Sequence, residues 1–83
     1  MINIDTADSV FHRRSREWWS VAYVKNGRLC WCGWPGGTVA ASECLLVTKA
    51  TPKERLELLN EMAAMKVGDQ RRSYARLALG LEK

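Results

Sequence analysis

Strand-forming residues crowd into one stretch of the chain, between Trp19 and Trp34. Trp19, Val21, Tyr23 and Val24 precede Asn26-Gly27, and Leu29, Cys30, Trp31, Cys32 and Trp34 follow it. Asn26 and Gly27 supply the two positive-φ residues that a type I′ turn requires, so the pattern predicts a β-hairpin over 19–34. A two-residue loop also fixes the register. Lys25 faces Arg28, Tyr23 faces Cys30, Val21 faces Cys32 and Trp19 faces Trp34. One face then carries Trp19, Val21, Tyr23, Cys30, Cys32 and Trp34. The other carries Trp18, Ala22, Val24, Leu29 and Trp31. Both are apolar. A lone hairpin is not stable in water, so one face must pack on the rest of the domain and the other must meet a second element or a partner.

The pattern changes after Pro35, Gly36 and Gly37, which end the hairpin. Cys44–Thr48 reads as a third strand, with 38–43 a loop or a strand start. Thr51, Pro52 and Glu54 form a helix start: an N-cap, a proline at the first helical position and a capping-box partner. From there Leu56, Leu59, Met62, Ala63 and Lys66 share a stripe at helical spacing, broadened by Leu58 and Met65, which predicts a helix over 52–66. Gly68 suits its end. Asp69 caps a second helix, over 70–79, with Tyr74, Leu77, Ala78 and Leu81 on its apolar side and Gly80 at its end. Upstream, Asp8 or Ser9 can cap a short helix over 10–18, after a polar, flexible lead-in at 1–9. The expected architecture is α+β: a small three-stranded antiparallel sheet, hairpin 19–34 plus strand 44–48, packed by two C-terminal helices in one domain spanning 1–83.

Size favours a binding surface over an enzyme. At 83 residues the chain buries a modest core, supplying roughly 3–5 kcal/mol of net stability, and a buried cleft is hard to build on that. The expectation is therefore no enzymatic activity and no cofactor. The net charge of +4 permits an acidic partner without demanding one. The N-terminus has no basic segment followed by an apolar one, and no apolar run approaches the roughly 20 residues of a membrane helix, so a cytoplasmic protein without a membrane partner is expected. Three cysteines without a secretion signal suggest free thiols.

Zinc is the first candidate chemistry. Cys30, Cys32, Cys44 and His12 offer the right atoms, but Cys30 and Cys32 alternate along a strand, with Cα atoms about 6.5–7 Å apart, rather than flanking a tight turn. Small buried hydrophobes with inert thiols are the better reading, and no metal site is assigned. A zinc-stabilised module stays a third alternative. Cysteine nucleophiles want a nearby base, and the sole histidine, His12, sits in no recognisable signature. The glycines at 33, 36 and 37 lack a phosphate-loop context and read as a turn. Basic residues fall into two groups, His12 with Arg13, Arg14 and Arg16, and Arg71 with Arg72 and Arg76. Interleaved with tryptophans they suit a DNA or RNA backbone with stacked bases.

The run Arg28–Trp34, followed by Cys44–Val47 and Thr51–Arg55, resembles small uncharacterised proteins of temperate bacteriophages and prophages, over roughly residues 17–66. The resemblance is one of size and style and brings no diagnostic motif. It implies a stoichiometric inhibitor of a host protein, of the anti-CRISPR or anti-defence type, acting by steric blockade. An aromatic residue beside arginine is the usual composition of a binding hot spot. The residues expected to meet a partner are Trp18, Tyr23, Arg28 and Trp31 on the hairpin, with Arg71, Arg72 and Arg76 steering it. The partner is a host protein with an acidic or apolar site. A homodimer through a hairpin face and a small basic nucleic-acid-binding regulator are the alternatives.

Overall fold

A computed structural model describes residues 3–33 and 37–81. The architecture is α+β, but the sheet has five antiparallel strands rather than three. In chain order they are β1 (Ser9–His12), β2 (Glu17–Lys25), β3 (Arg28–Trp31), β4 (Val39–Ala40) and β5 (Cys44–Thr48), followed by helices α1 (Pro52–Ala63) and α2 (Gln70–Ala78). The strand order across the sheet is β4-β3-β2-β1-β5.

The expected N-terminal helix over 10–18 is instead strand β1, a turn at 13–16 and the start of β2. The residues of β1 alternate: Val10 and His12 are buried, while Ser9 and Phe11 are half-exposed. That period of two fits a strand, and β1 gains partners on both sides, β2 and β5. Pairing on two edges outweighs a local capping signal. Arg16 closes the turn at φ 59°, its N–H bonded to the His12 carbonyl at 2.8 Å. The second added strand, β4, pairs Arg28 with Ala40 and Leu29 with Val39.

The Asn26-Gly27 turn forms as expected, with φ of 53° and 75°. Lys25 faces Arg28 and Tyr23 faces Cys30. Beyond Tyr23 a β-bulge shifts the register, so Val21 faces Trp31 instead of Cys32. The partner expected for Trp19, Trp34, lies outside the described residues. The bulge re-sorts the two faces. Ala22 and Tyr23 both join the cluster under the helices, with Cys30, Met62 and Ala75. Trp19, Val21, Val24, Leu29 and Trp31 gather on the opposite side with Ile4, Val10 and Cys44.

That second side is the inside of a curled sheet. Strands β4 and β5 sit at opposite edges, yet only a 3₁₀ turn, Ala41–Glu43, separates them in sequence. Three residues cannot cross a flat five-stranded sheet with strands about 4.8 Å apart. The sheet therefore curls strongly, with the first half of β2 pairing β1 and its second half pairing β3. Both hairpin faces are thus covered within the chain where β2 and β3 pair, one by helices and the other by Ile4, Val39 and Ala41.

Thr51 and Glu54 close the capping box, at 3.1 Å and 2.9 Å, and Pro52 opens α1. Thr51→Ala should cost about 1 kcal/mol in a denaturant titration, and an unchanged midpoint would remove the box from the stability account. The helix ends at Ala63, before the expected Lys66, because the N–H groups of Ala64 and Met65 turn back to Glu61 and Met62 in 3₁₀ fashion. Asp69 caps α2 through the Arg71 N–H. Gly80, at φ 75°, ends it in a Schellman motif, in which the Leu81 N–H reaches the Arg76 carbonyl at 2.8 Å.

The lead-in is fixed by Asp8, whose side chain is fully buried. One carboxylate oxygen accepts from the Ala50 N–H at 2.7 Å and Arg55 Nη2 at 2.9 Å. The other accepts from the Asp5 N–H at 2.9 Å and Lys49 Nζ at 2.8 Å. One side chain thus ties the N-terminal segment, the β5–α1 connection and α1 together. Among the described residues, no helix is long and apolar enough to cross a membrane.

Candidate interaction surface

The two helices cover only part of the outer sheet face. They lie over the bulged half of β2 and over β3, where Ala22, Tyr23 and Cys30 are buried. The other half, built from the start of β2, β1 and β5, keeps its side chains in solvent. There Phe11 of β1 pairs with Trp18 of β2 on one side and Leu45 of β5 on the other. The Phe11 and Trp18 rings meet edge to face, 5.2 Å apart and inclined at 65°. Trp18 is 68% exposed and Leu45 46%. A tryptophan this open leaves most of its apolar area unused by the fold.

Beside this strip the β1–β2 turn carries Arg13, Arg14 and Arg16, all exposed. No ion pair holds any of the three among the described residues. Glu17, the next residue, is also exposed and offsets part of their charge. The result is an aromatic strip with an exposed cationic rim, the composition enriched at binding hot spots.

Trp18 is the one residue of the expected hairpin site that lies on this surface. Trp31 is on the opposite side of the sheet, because the bulge and the curl of the sheet separate the two. Its ring stacks on Trp19 at 4.0 Å, and Trp19 stacks on His12 at 4.1 Å. His12 is almost wholly buried, with Nδ1 2.7 Å from Ser15 Oγ and Nε2 3.3 Å from Glu43. Tyr23 is buried and stacks face to face on Tyr74 at 4.5 Å. Burial, reinforced by the neighbouring Cys30 thiol, pushes its phenol up to about 12. Arg28 braces the approach to β4 through both the hydroxyl and the carbonyl of Thr38.

The arginines of α2 are also structural in part. Arg71 holds Asp69 with two bonds, at 3.0 Å and 2.7 Å, and donates to the Cys32 carbonyl. It fastens α2 to the end of β3. Arg72 and Arg76 are half-buried on the same helix. The structure does not bring these three to the Trp18 strip; it places them on the helical layer. Hairpin register alone did not point to Phe11 and Leu45. The signal that finds them is the two-residue alternation of 9–12, once that segment is recognised as a strand.

The zinc candidates do not converge. Cys30 faces the helices, while Cys44 is inside the curled sheet. Among the described residues, no three His, Cys, Asp or Glu side chains are placed to hold a metal ion. Burial pushes all three thiols up, which keeps them protonated and unreactive. At neutral pH a thiol reagent should therefore modify Cys30 and Cys44 only at the rate of unfolding, and prompt labelling of either in native protein would contradict their burial. Between Tyr23, Lys25, Gly68, Gln70, Ser73, Tyr74 and Leu77 runs a shallow open groove, lined by both polar and apolar groups.

No family model matches the chain, and no curated protein or solved structure is significantly similar to it.

Proposed function

We propose that the chain is a non-enzymatic binding module that docks an acidic-and-apolar protein surface on the Trp18–Phe11–Leu45 strip. The observation that carries this reading is Trp18, an indole 68% exposed on a rigid strand pair, with Arg13, Arg14 and Arg16 at its rim. Exposing a large aromatic side chain contributes little to folding, whereas burying it against a partner contributes typically 2 kcal/mol or more. The arginines would speed encounter with an acidic partner more than they tighten the final complex. A narrower reading, a phage-type inhibitor that blocks a host protein without chemistry, draws its support from the resemblance of residues 17–66.

The test is affinity capture from a bacterial lysate with the parent chain and with Trp18→Ala, read by mass spectrometry and then by titration of the captured protein. The substitution should leave the melting temperature almost unchanged and weaken binding about 30-fold or more. Capture of the same protein with the same affinity by both chains would reject the site.

A nucleic-acid reading has one observation in its favour: three unpaired arginines stand beside an exposed ring on which a base can stack. Binding of that kind weakens steeply with salt, log K falling linearly with log[salt]. A mobility shift with that slope, reduced by Arg14→Ala, would replace the protein partner with DNA or RNA.

A further inference from the structure

At the β1–β2 turn a serine, a histidine and a carboxylate stand in a chain of contacts. His12 Nδ1 lies 2.7 Å from Ser15 Oγ, and His12 Nε2 lies 3.3 Å from a Glu43 carboxylate oxygen. A third contact fixes the tautomer. The Ser15 backbone N–H, which can only donate, is directed at Nδ1 from 3.2 Å. Nδ1 is therefore the unprotonated nitrogen, and the Ser15 hydroxyl also donates to it. Nε2 carries the hydrogen that Glu43 accepts.

The fold explains why the three meet. The Arg16 N–H bonds the His12 carbonyl, which brings residue 15 back toward residue 12, and the Arg13 N–H bonds the Glu43 carbonyl. The His12 ring is buried and stacked on Trp19 at 4.1 Å, so its plane is set by packing. Ser15, by contrast, is exposed. A solvent-facing hydroxyl, a base within hydrogen-bond reach and a third group that orients the base are the parts of an activated nucleophile.

We infer that Ser15 is a nucleophile that accepts an acyl group from an acyl phosphate. Charge selects the donor class. Arg13, Arg14 and Arg16 flank the hydroxyl, all exposed and with no ion pair among the described residues, so they favour an anionic electrophile over a neutral one. In the step, Ser15 Oγ attacks the carbonyl carbon while His12 Nδ1 takes its proton. Glu43 stabilises the imidazolium so formed. The bond between the carbonyl carbon and the phosphate oxygen breaks, and phosphate departs with the proton from Nδ1. An ester on Ser15 and a neutral imidazole remain. The chain is modified once rather than turned over, and the step needs nothing from Trp18.

Incubation of the full chain with acetyl phosphate, read by peptide mapping in a mass spectrometer, tests the inference. Acetyl should accumulate on Ser15 ahead of the lysines. His12→Gln should slow that labelling by about 100-fold or more, the contribution typical of a general base, in protein whose circular dichroism shows it folded. The Glu43 variants leave the buried ring in place and give a second readout. Glu43→Gln keeps an acceptor for Nε2 and should retain more of the rate than Glu43→Ala. Arg14→Ala should slow labelling by acetyl phosphate more than labelling by the neutral ester p-nitrophenyl acetate. A parent whose lysines are acetylated while Ser15 is not overturns the inference. So does full-rate labelling of Ser15 in folded His12→Gln, or equal rates in the two Glu43 variants. Equal slowing of both donors by Arg14→Ala overturns the acyl phosphate as the donor class.

Discussion

Asp8→Asn should destabilise the fold by about 2–4 kcal/mol and reduce its sensitivity to acid. The carboxylate is fully buried and accepts four hydrogen bonds, two on each oxygen. All four partners are donors. Asparagine can present an oxygen to one pair, but its amide must then aim N–H groups at the other pair. Breaking one partner of a buried, hydrogen-bonded ion pair typically costs 3–5 kcal/mol. The smaller range applies here because Lys49 is 40% exposed and Arg55 24%, so both can recover some hydration. In a domain of this size each kcal/mol shifts Tm by roughly 4–8 °C.

The pH dependence follows from the same four bonds. Burial alone would raise the Asp8 carboxyl. The Ala50 N–H, Lys49 and the Asp5 N–H together outweigh burial and hold it below its ordinary 3.8. A carboxylate with a depressed folded-state pKa contributes stability that is complete above the unfolded value and is lost as pH falls through the folded one. Asp69, held down chiefly by Arg71, acts in the same direction. Denaturant titrations at a series of pH values should show the parent losing stability below 3.8, and Asp8→Asn should make that slope shallower. Equal stability of the two chains at neutral pH would show that the knot is not holding the N-terminal segment.

This knot was invisible in the sequence, where Asp8 read as a helix cap. Its four donors come from positions 5, 49, 50 and 55, and no local pattern joins them. What the sequence made legible was local chemistry. Asn26-Gly27 set its turn, Thr51-Pro52 with Glu54 set the start of α1, and Asp69 and Gly80 bracket α2, because each motif satisfies its own backbone groups. The failures share a physical cause. The bulge after Tyr23 and the strand character of 9–12 are imposed by partners distant in the chain, so hairpin register extrapolated past four residues put Trp18 and Trp31 on one face. β4 has two residues, too short for any period to declare itself. Trp18 lies on the outer face because strand alternation places it there whatever happens beyond the bulge. Tyr23 does not, because the bulge turns it under the helices.

Met62 is the most deeply buried large side chain of the helical layer, and Met62→Ala should cost about 2–5 kcal/mol. Met62 is the one fully buried residue of α1, and it packs with Ala22, Tyr23 and Cys30 of the sheet and Ala75 of α2. Two of those neighbours are alanines, which have no side chain able to swing into the vacated space. The sheet beneath is held by its ladders and packs a second cluster on its other side, which resists collapse toward the helix. Both features place the substitution toward the costly end, where a cavity persists. Met62→Leu, nearly equal in volume, should cost less than about 1.5 kcal/mol. The loss should also be local. The inside of the curl, with Val10, Val21, Leu29 and Cys44, is a separate cluster on the other side of the sheet. Amide exchange in α1 and α2 should therefore accelerate in Met62→Ala while that of β1 and the first half of β2 stays slow, the mark of subglobal opening. Uniform acceleration across strands and helices would mean instead that the two clusters unfold as one unit.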